Sequence, residues 1–284
     1  MMQQNLHTTP IRLDRFLRQC YPYLTQGVIQ IAIRRGLVKI NNQKAKEASL
    51  RLKQYDRVSS PLHFEQYCPE EQDNFSNSVV SLSQKILGKY LIFENQDFLA
   101  INKPEKISTQ GGTWVKISLD DALKYLNTQG GNFKLVHRLD KDTSGLMLIA
   151  KNYDAAVKLT GAFRDKQIAK TYLALTIGRP KLDSGIVNID NEITRYNVLK
   201  YQASSNIAYI EFFPITGKEH QIRRHGLELG APIIGDKKYG APSERHHMLL
   251  HSYKTTIANE IFGIKYDLLA PLPEYFEHEL QKLQ

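Results

Sequence analysis

The run His137-Arg138-Leu139-Asp140-Lys141-Asp142-Thr143-Ser144-Gly145 passes without a break into Leu146-Met147-Leu148-Ile149-Ala150-Lys151. Its first half is crowded with charge, hydroxyls and a glycine. Its second half is an apolar stretch of strand length. Polar loop chemistry is therefore delivered by a segment anchored directly in a core. Asp140 has Arg138 and Lys141 close by in sequence, and their positive field can hold and aim its carboxylate. The plainer reading of Asp140 is a turn or capping aspartate, because Asp, Thr, Ser and Gly also make turns.

The chain around this segment reads as α+β. Tyr90 to Phe93 and Phe98 to Ile101, parted by Glu94 to Asp97, predict a hairpin that Pro104 ends. Asp120 to Leu126 is helical in pattern. Ala156, Leu159 and Phe163 mark one face of a helix, and Lys170 to Leu175 follows as a strand. Asn206 to Phe213 is a further strand, and His220 to Leu229 a helix closed by Gly230. Strand segments come next near Met248 to Ser252 and Ile264 to Leu268, then a closing helix within Pro273 to Gln284. Many strands with helices between some of them predict a mixed, largely antiparallel sheet with flanking helices.

Ile11 to Ser60 reads as a smaller unit. Leu13, Phe16 and Leu17 have helical spacing ahead of Pro22, and Thr25 is placed to cap a second helix. Val28, Ile29, Ala32 and Ile33 form that helix's apolar face, with Gly36 at its C-cap. Leu37 to Ile40 alternates toward a turn at Asn41-Asn42, and Arg57-Val58 is a short closing strand. Arg12, Arg15, Arg18, Arg34, Arg35, Lys39, Lys44 and Lys46 stud the unit. The stretch 61–89 is acidic at first and then rich in Asn and Ser. It reads as a linker carrying a short helix near Val79 to Leu87, which sets domains at 11–60 and 90–284.

With 284 residues, 42% of them apolar, the chain can build two domains with a sizeable core. No apolar run reaches the ~20 residues of a membrane span. Met1 to Thr9 is polar, without the apolar stretch of a secretory signal. Cys20 and Cys68 are in no paired-ligand spacing, which fits a reducing cytosol and a cytoplasmic protein. A formal net charge of +9 suits a polyanionic partner, since lysine and arginine on phosphates release counterions.

Three further blocks carry chemistry-bearing residues. The first is Asn102-Lys103-Pro104 with Gly111-Gly112. Another is Lys170-Thr171-Tyr172-Leu173-Ala174. The last runs from Pro214-Ile215-Thr216-Gly217-Lys218-Glu219-His220-Gln221-Ile222-Arg223 through Gly230 to Ile234-Gly235-Asp236. Together with the segment from His137, these blocks resemble, in order, the motifs of the RluA-type pseudouridine synthases that act on large-subunit ribosomal RNA. The first unit, with Ile11-Arg12-Leu13-Asp14-Arg15-Phe16-Leu17 and Arg35-Gly36-Leu37-Val38-Lys39-Ile40-Asn41, resembles the S4 RNA-binding domain that precedes the catalytic domain in that family.

The resemblance implies isomerisation of uridine to pseudouridine in 23S rRNA, with Asp140 as the catalytic residue. It implies that Arg138 enters the RNA helix to help displace the target nucleotide, that Tyr172 stacks on the flipped base, and that Arg223 pairs with Asp140. Leu250, within Leu249-Leu250-His251, is a candidate pocket residue. Arg12, Arg15, Arg34, Arg35, Lys39 and Lys44 are candidate RNA contacts. Ser108 to Gly112 and Leu249 to His251 look more like class C of the family than class D. Nothing is oxidised and no group is imported, so no cofactor is expected, and no metal: His246-His247 and His251 lack suitable ligand company. The expected partner is 23S rRNA, with no membrane and no small-molecule cofactor, and the chain is expected to be a monomer. One departure is Lys218-Glu219, where relatives usually carry arginine and a small hydroxyl residue; lysine lacks the bidentate fork. The alternatives are a pseudouridine synthase of another RNA (class D or tRNA) and a non-catalytic S4 ribosome-assembly protein.

Overall fold

The computed structural model describes residues 2–5, 7, 9–21, 26–60, 75–112, 115–240 and 247–283. The expected cap at Thr25, Pro22, Cys68, His246 and the first part of the expected linker, 61–74, lie outside these residues. The chain divides into two compact units, Met1–Asn74 and Phe75–Gln284.

The first unit holds β1 (Met2–Gln4), β2 (Ile11–Arg12), α1 (Leu13–Cys20), α2 (Gln26–Arg34), β3 (Lys39–Ile40), β4 (Gln43–Lys44), β5 (Arg51–Leu52) and β6 (Arg57–Ser59). Four strands join in the order β1-β6-β3-β4, and β2 pairs with β5. Leu13, Phe16 and Leu17 of α1 meet Ile29, Ala32 and Ile33 of α2 over Val38, Leu52 and Val58. This is the core that the helical spacing predicts. Gly36 takes φ +68°, the left-handed conformation that ends a helix, and Asn41 and Asn42 take φ 50° and 71° in the tight turn between β3 and β4.

The second unit starts earlier than the sequence suggests. Its first element is α3 (Asn77–Leu87), with Ser76 as N-cap accepting from Val79 N. Val79, Leu82 and Ile86 are buried, and Phe75 packs edge-on to Tyr125 with ring centroids 5.3 Å apart. Residues 75–89 therefore belong to the second unit's core and are not linker. Asn77 and Ser78 lie on the solvent side of an amphipathic helix, whereas Ser83 is buried with its hydroxyl donating to Val80 O at 2.7 Å.

After α3 come β7 (Leu91–Glu94), β8 (Phe98–Lys103), α4 (Leu119–Thr128), β9 (Lys134–Leu135), β10 (Ser144–Ala150), α5 (Tyr153–Arg164), β11 (Ile168–Ile177), β12 (Ser184–Ile189), β13 (Glu192–Gln202) and β14 (Ile207–Pro214). The chain ends through α6 (Gln221–Glu228), β15 (Leu250–Ile257), α7 (Asn259–Phe262), β16 (Tyr266–Leu269) and α8 (Glu274–Gln281). The sheet order is β12-β13-β14-β11-β15-β10-β8-β7, with β16 beside β15 and β9 beside β10. Pairing is antiparallel except between β10 and β15. The predicted mixed, largely antiparallel sheet is what forms. The hairpin β12-β13 is absent from the sequence reading because its charged and amide residues break the alternation.

Strand β10 is central, and all seven of its residues are buried. Met147 and Ile149 face the core shared with α3 and α4, whereas Leu146 and Leu148 face the core under α5. Two covered faces explain why the sequence here is continuously apolar and does not alternate.

Candidate active site

The loop from His137 to Thr143 is held at both ends. At its start, Leu148 N donates to His137 Nε2 at 2.8 Å, and the imidazole lies against Phe163 with centroids 4.4 Å apart. Burial, helped by nearby Lys170, pushes the His137 pKa down to about 3, so the ring is a neutral acceptor. Leu139 is buried, and the Thr109 hydroxyl both donates to Leu139 O at 2.7 Å and accepts from Leu139 N at 3.1 Å. On the other side of Asp140, Lys103 Nζ donates to the carbonyls of Lys141, Pro104 and Ile107 at 3.2, 2.8 and 2.9 Å. Lys103 is fully buried, and desolvation lowers its pKa to about 7 against the pull of Asp142 and Asp140.

At its end the loop enters β10 through Gly145, at φ +111°. A Cβ there would lie 2.3 Å from the Ser252 carbonyl oxygen. The glycine lets β10 and β15 approach closely enough to pair in parallel at Ser144–His251 and Gly145–Ser252.

Asp140 emerges between these fixed points with its side chain about one-fifth exposed. Arg223 Nη1 donates to Asp140 Oδ2 at 3.3 Å. The other side of that guanidinium is gripped by Asp236: Nε donates to Oδ2 at 2.6 Å and Nη2 to Oδ1 at 2.7 Å. Asp236 Oδ1 also accepts from the backbone N–H of Lys238 and Tyr239. Burial works against the Asp236 carboxylate, but Arg223 and the two N–H groups bring its pKa below the ordinary value. His220 Nε2 stands 3.9 Å from Asp140 Oδ2, and His220 Nδ1 is 3.2 Å from the Tyr239 hydroxyl. His220 is held at φ 53°, a left-handed backbone rare for a side-chain-bearing residue. The Tyr239 ring also lies 5.2 Å from the Arg223 guanidinium.

A cleft of about 900 Å³ opens from Asp140. Tyr172 of β11 and Leu250 of β15 line it, together with Arg138, Lys170 and Arg223. A β-bulge between Thr171 and Tyr172 re-aims the strand at this point. Burial raises the Tyr172 pKa to about 12, partly offset by its bond to Ser252, so the hydroxyl stays neutral. Arg138 is exposed at the cleft and forms no ion pair with Asp140 or Asp142 among the described residues.

The model of the RNA pseudouridylate synthase family matches residues 97–227. The chain is 44% identical over 292 residues to ribosomal large subunit pseudouridine synthase C of Rickettsia bellii, covering 93% of this chain and 95% of that protein. The chain belongs to the RNA pseudouridylate synthases. The Rickettsia typhi protein of the same name is 44% identical over 296 residues, and that of Vibrio cholerae 28% over 298 residues, covering 97% and 93% of those chains and 95% and 96% of this one. The solved human RNA pseudouridylate synthase domain containing 4 has the same fold, with a TM-score of 0.63 at 24% identity over 72% of this chain and 97% of that one.

As a pseudouridylate synthase the protein is an isomerase. The structure brings Asp140, Tyr172, Arg223, Arg138 and Leu250 to one cleft. Lys218 and Glu219 sit exposed on its rim, in a turn that the Gln221 side chain staples through Lys218 N, Thr216 Oγ1 and Ile193 O. The grip of Asp236 on Arg223 goes unassigned in the sequence, although Asp236 lies inside the fourth block. Lys103, Thr109, His220 and Tyr239 were likewise without a role. Their contacts run between segments far apart in the chain, which spacing cannot reveal.

The histidines weighed as metal ligands are engaged elsewhere: His247 Nδ1 is 2.5 Å from Glu105 Oε1, and His251 lies between Ser144 Oγ and Ala270 O. In the first unit, Arg12, Arg15, Arg34, Arg35, Lys39 and Lys44 are all exposed. Lys39 and Lys44 stand opposite each other on β3 and β4, and the Lys44 side chain lies over Gly36, next to Arg35. Arg12 is tied to Asp14 at 2.8 Å. Among the described residues, no helix is long and apolar enough to cross a membrane.

Proposed function

We propose that the protein converts uridines of large-subunit (23S) ribosomal RNA to pseudouridine, as class C of its family, in the cytoplasm. The observation that carries the reading is the Asp140 carboxylate, fixed by Arg223 and opening onto a cleft lined by Tyr172 and Leu250. A nucleotide in a helical stack cannot meet a carboxylate, so the target base must leave the stack. The cleft offers it an aromatic face at Tyr172 and an apolar contact at Leu250, and exposed Arg138 is placed to take over its position in the helix.

Asp140 acts at the ribose, either as nucleophile at C1′ or as base at C2′. The C1′–N1 bond breaks, the held base turns, and C5 bonds to C1′. C5 gives up its proton and N1 regains one, so the reaction balances without an external reactant. The first unit is read as an S4-type RNA-binding domain. Its order of two helices and a strand and its exposed cations, among them the six nominated contacts, support this, and it supplies part of the affinity for RNA.

The test is tritium release from 23S rRNA transcript labelled at uridine C5, comparing wild type with Asp140→Asn. C5 loses its hydrogen only when it becomes the glycosidic carbon. Release by wild type and none by the variant is expected. Equal release by both would remove Asp140 from the reaction, and no release by either would leave an RNA-binding protein without this activity.

A further inference from the structure

Asp140 stands in a wall between two clefts. Arg138, Leu139, Asp140, His220 and Arg223 line both. The cleft already described, with Tyr172 and Leu250, lies on one side. A second, of about 570 Å³, lies on the other. Both are cationic, the first through Arg164, Lys166, Lys170 and Lys218, but the second lacks the tyrosine and leucine that would receive a base. Lys141, Lys237 and Lys238 join Arg138 along it, all four exposed, and the uncharged segment from Ser108 to Gly111 faces them. Apart from the His220 imidazole, the described residues that line it include no aromatic side chain. Its carboxylates are Asp142 and Asp140, and Asp140 is already engaged by Arg223.

The two adjacent lysines are carried on a fixed backbone. Lys238 N and Tyr239 N both donate to Asp236 Oδ1, at 2.9 and 3.1 Å. The same carboxylate grips Arg223, so the lysine turn and the partner of Asp140 share one anchor. Lys238 Nζ lies 5.0 Å from the Tyr239 ring, which steadies the long side chain.

A strand bound for the reaction must cross this wall. Its base enters the aromatic cleft and its C1′ faces Asp140, so the ribose sits on the wall itself. The backbone leaves the ribose in two directions, and a phosphodiester on the far side falls among the lysines. Cations gathered in a concavity favour such an anion by releasing its condensed counterions.

We infer that the second cleft binds a phosphodiester flanking the target uridine, with Lys237 and Lys238 as its main contacts and Lys141 as a third. This rests on the reading of function given above and adds a binding subsite to it.

The test uses the full chain and 23S rRNA transcript. Dissociation constants are measured over a series of KCl concentrations for wild type, Lys237→Ala/Lys238→Ala, Lys141→Ala and, as a control on β13, Lys200→Ala. Each lost phosphate contact reduces the slope of log K against log salt by about 1. The double variant is expected to lose about 1 to 2 in slope and roughly tenfold in affinity at low salt. Lys141→Ala should lose less, and Lys200→Ala nothing. An unchanged slope in the double variant, with wild type still releasing tritium, overturns the inference and spares the reading of function. A slope lost equally in Lys200→Ala overturns it as well, by showing a general charge effect. No release by wild type fails the function, and this inference with it.

Discussion

Asp236 holds Arg223 by two hydrogen bonds of 2.6 and 2.7 Å and leaves Nη1 of the same guanidinium to reach Asp140 at 3.3 Å. One buried carboxylate thus sets the direction of the cation, and the cation sets the direction of the Asp140 carboxylate. Because Asp236 is out of contact with water, Arg223 cannot trade that partner for solvent.

Removing Asp236 should therefore damage stability and chemistry together. Asp236→Ala leaves a buried guanidinium half-unpaired, at a cost of about 3–5 kcal/mol in chemical denaturation. Asp236→Asn retains the shape and should cost less in stability. It should still lower the tritium-release rate at saturating RNA, because the fork on Arg223 loses its charge-assisted geometry. A normal rate in a folded Asp236→Asn protein would mean that Arg223 orients Asp140 unaided.

Two glycines separate close approach from mere backbone freedom. Gly145→Ala places a methyl against the Ser252 backbone at φ +111° and should destabilise by more than about 3 kcal/mol, or prevent folding. Gly130 also has a positive φ, +95°, but a Cβ there meets nothing within 4 Å. Gly130→Ala should cost only about 1–2 kcal/mol. Thermal unfolding of the pair measures the difference, and equal losses would sink the argument that β10 and β15 need the glycine to pair.

Stability should fall on mild acidification, through two buried histidines. Burial takes His137 down to about 3 and His251 to about 4, below the ordinary 6.5. As pH drops below about 6.5 the unfolded chain binds protons that the folded protein refuses. The stabilisation is full above that pH and is lost progressively toward pH 4, by at most about 1.4 kcal/mol per pH unit for each group. His137→Asn should flatten the unfolding free energy between pH 6.5 and 4; an unaltered slope would show that His137 is protonated when folded.

The start of the second unit is testable by truncation. A chain beginning at Phe75 keeps α3 and should fold. One beginning at Tyr90 loses Val79, Leu82 and Ile86 from the core, each contributing about 1.5–3 kcal/mol. Denaturation midpoints should differ clearly. The Phe75 form should also bind 23S rRNA more weakly than the full chain, with a shallower salt dependence. Equal binding would argue against an RNA-binding role for the first unit.

The sequence by itself determined the local structure and the chemistry at hand. The apolar run after Gly145 could only be a buried strand. The spacing of Leu13, Phe16 and Leu17 and of Ile29, Ala32 and Ile33 placed two helices, and three of the four blocks nominated residues that share one cleft. Periodicity and short motifs report on neighbours in the chain, and that is where these features live. The helix of α3 was legible but its place in the second unit's core was not, and the β12-β13 hairpin went unread, because burial is a property of what packs against a segment.

The family resemblance implies Arg223 as the partner of Asp140, and only the tertiary structure decided the rest of what holds that carboxylate. Asp140 depends on Thr109, Lys103, Arg223 and Asp236, which lie 31, 37, 83 and 96 positions away in the chain. Those hydrogen bonds exist because strands β8, β10 and β15 pair side by side and α6 packs on β13 and β14 of the same sheet. The meeting of two clefts at Asp140, with Tyr172 and Leu250 in one and Lys237 and Lys238 in the other, has the same origin. Charge and ring were legible as residue types, but which side of Asp140 each would occupy was set by the packing of elements that the chain visits far apart.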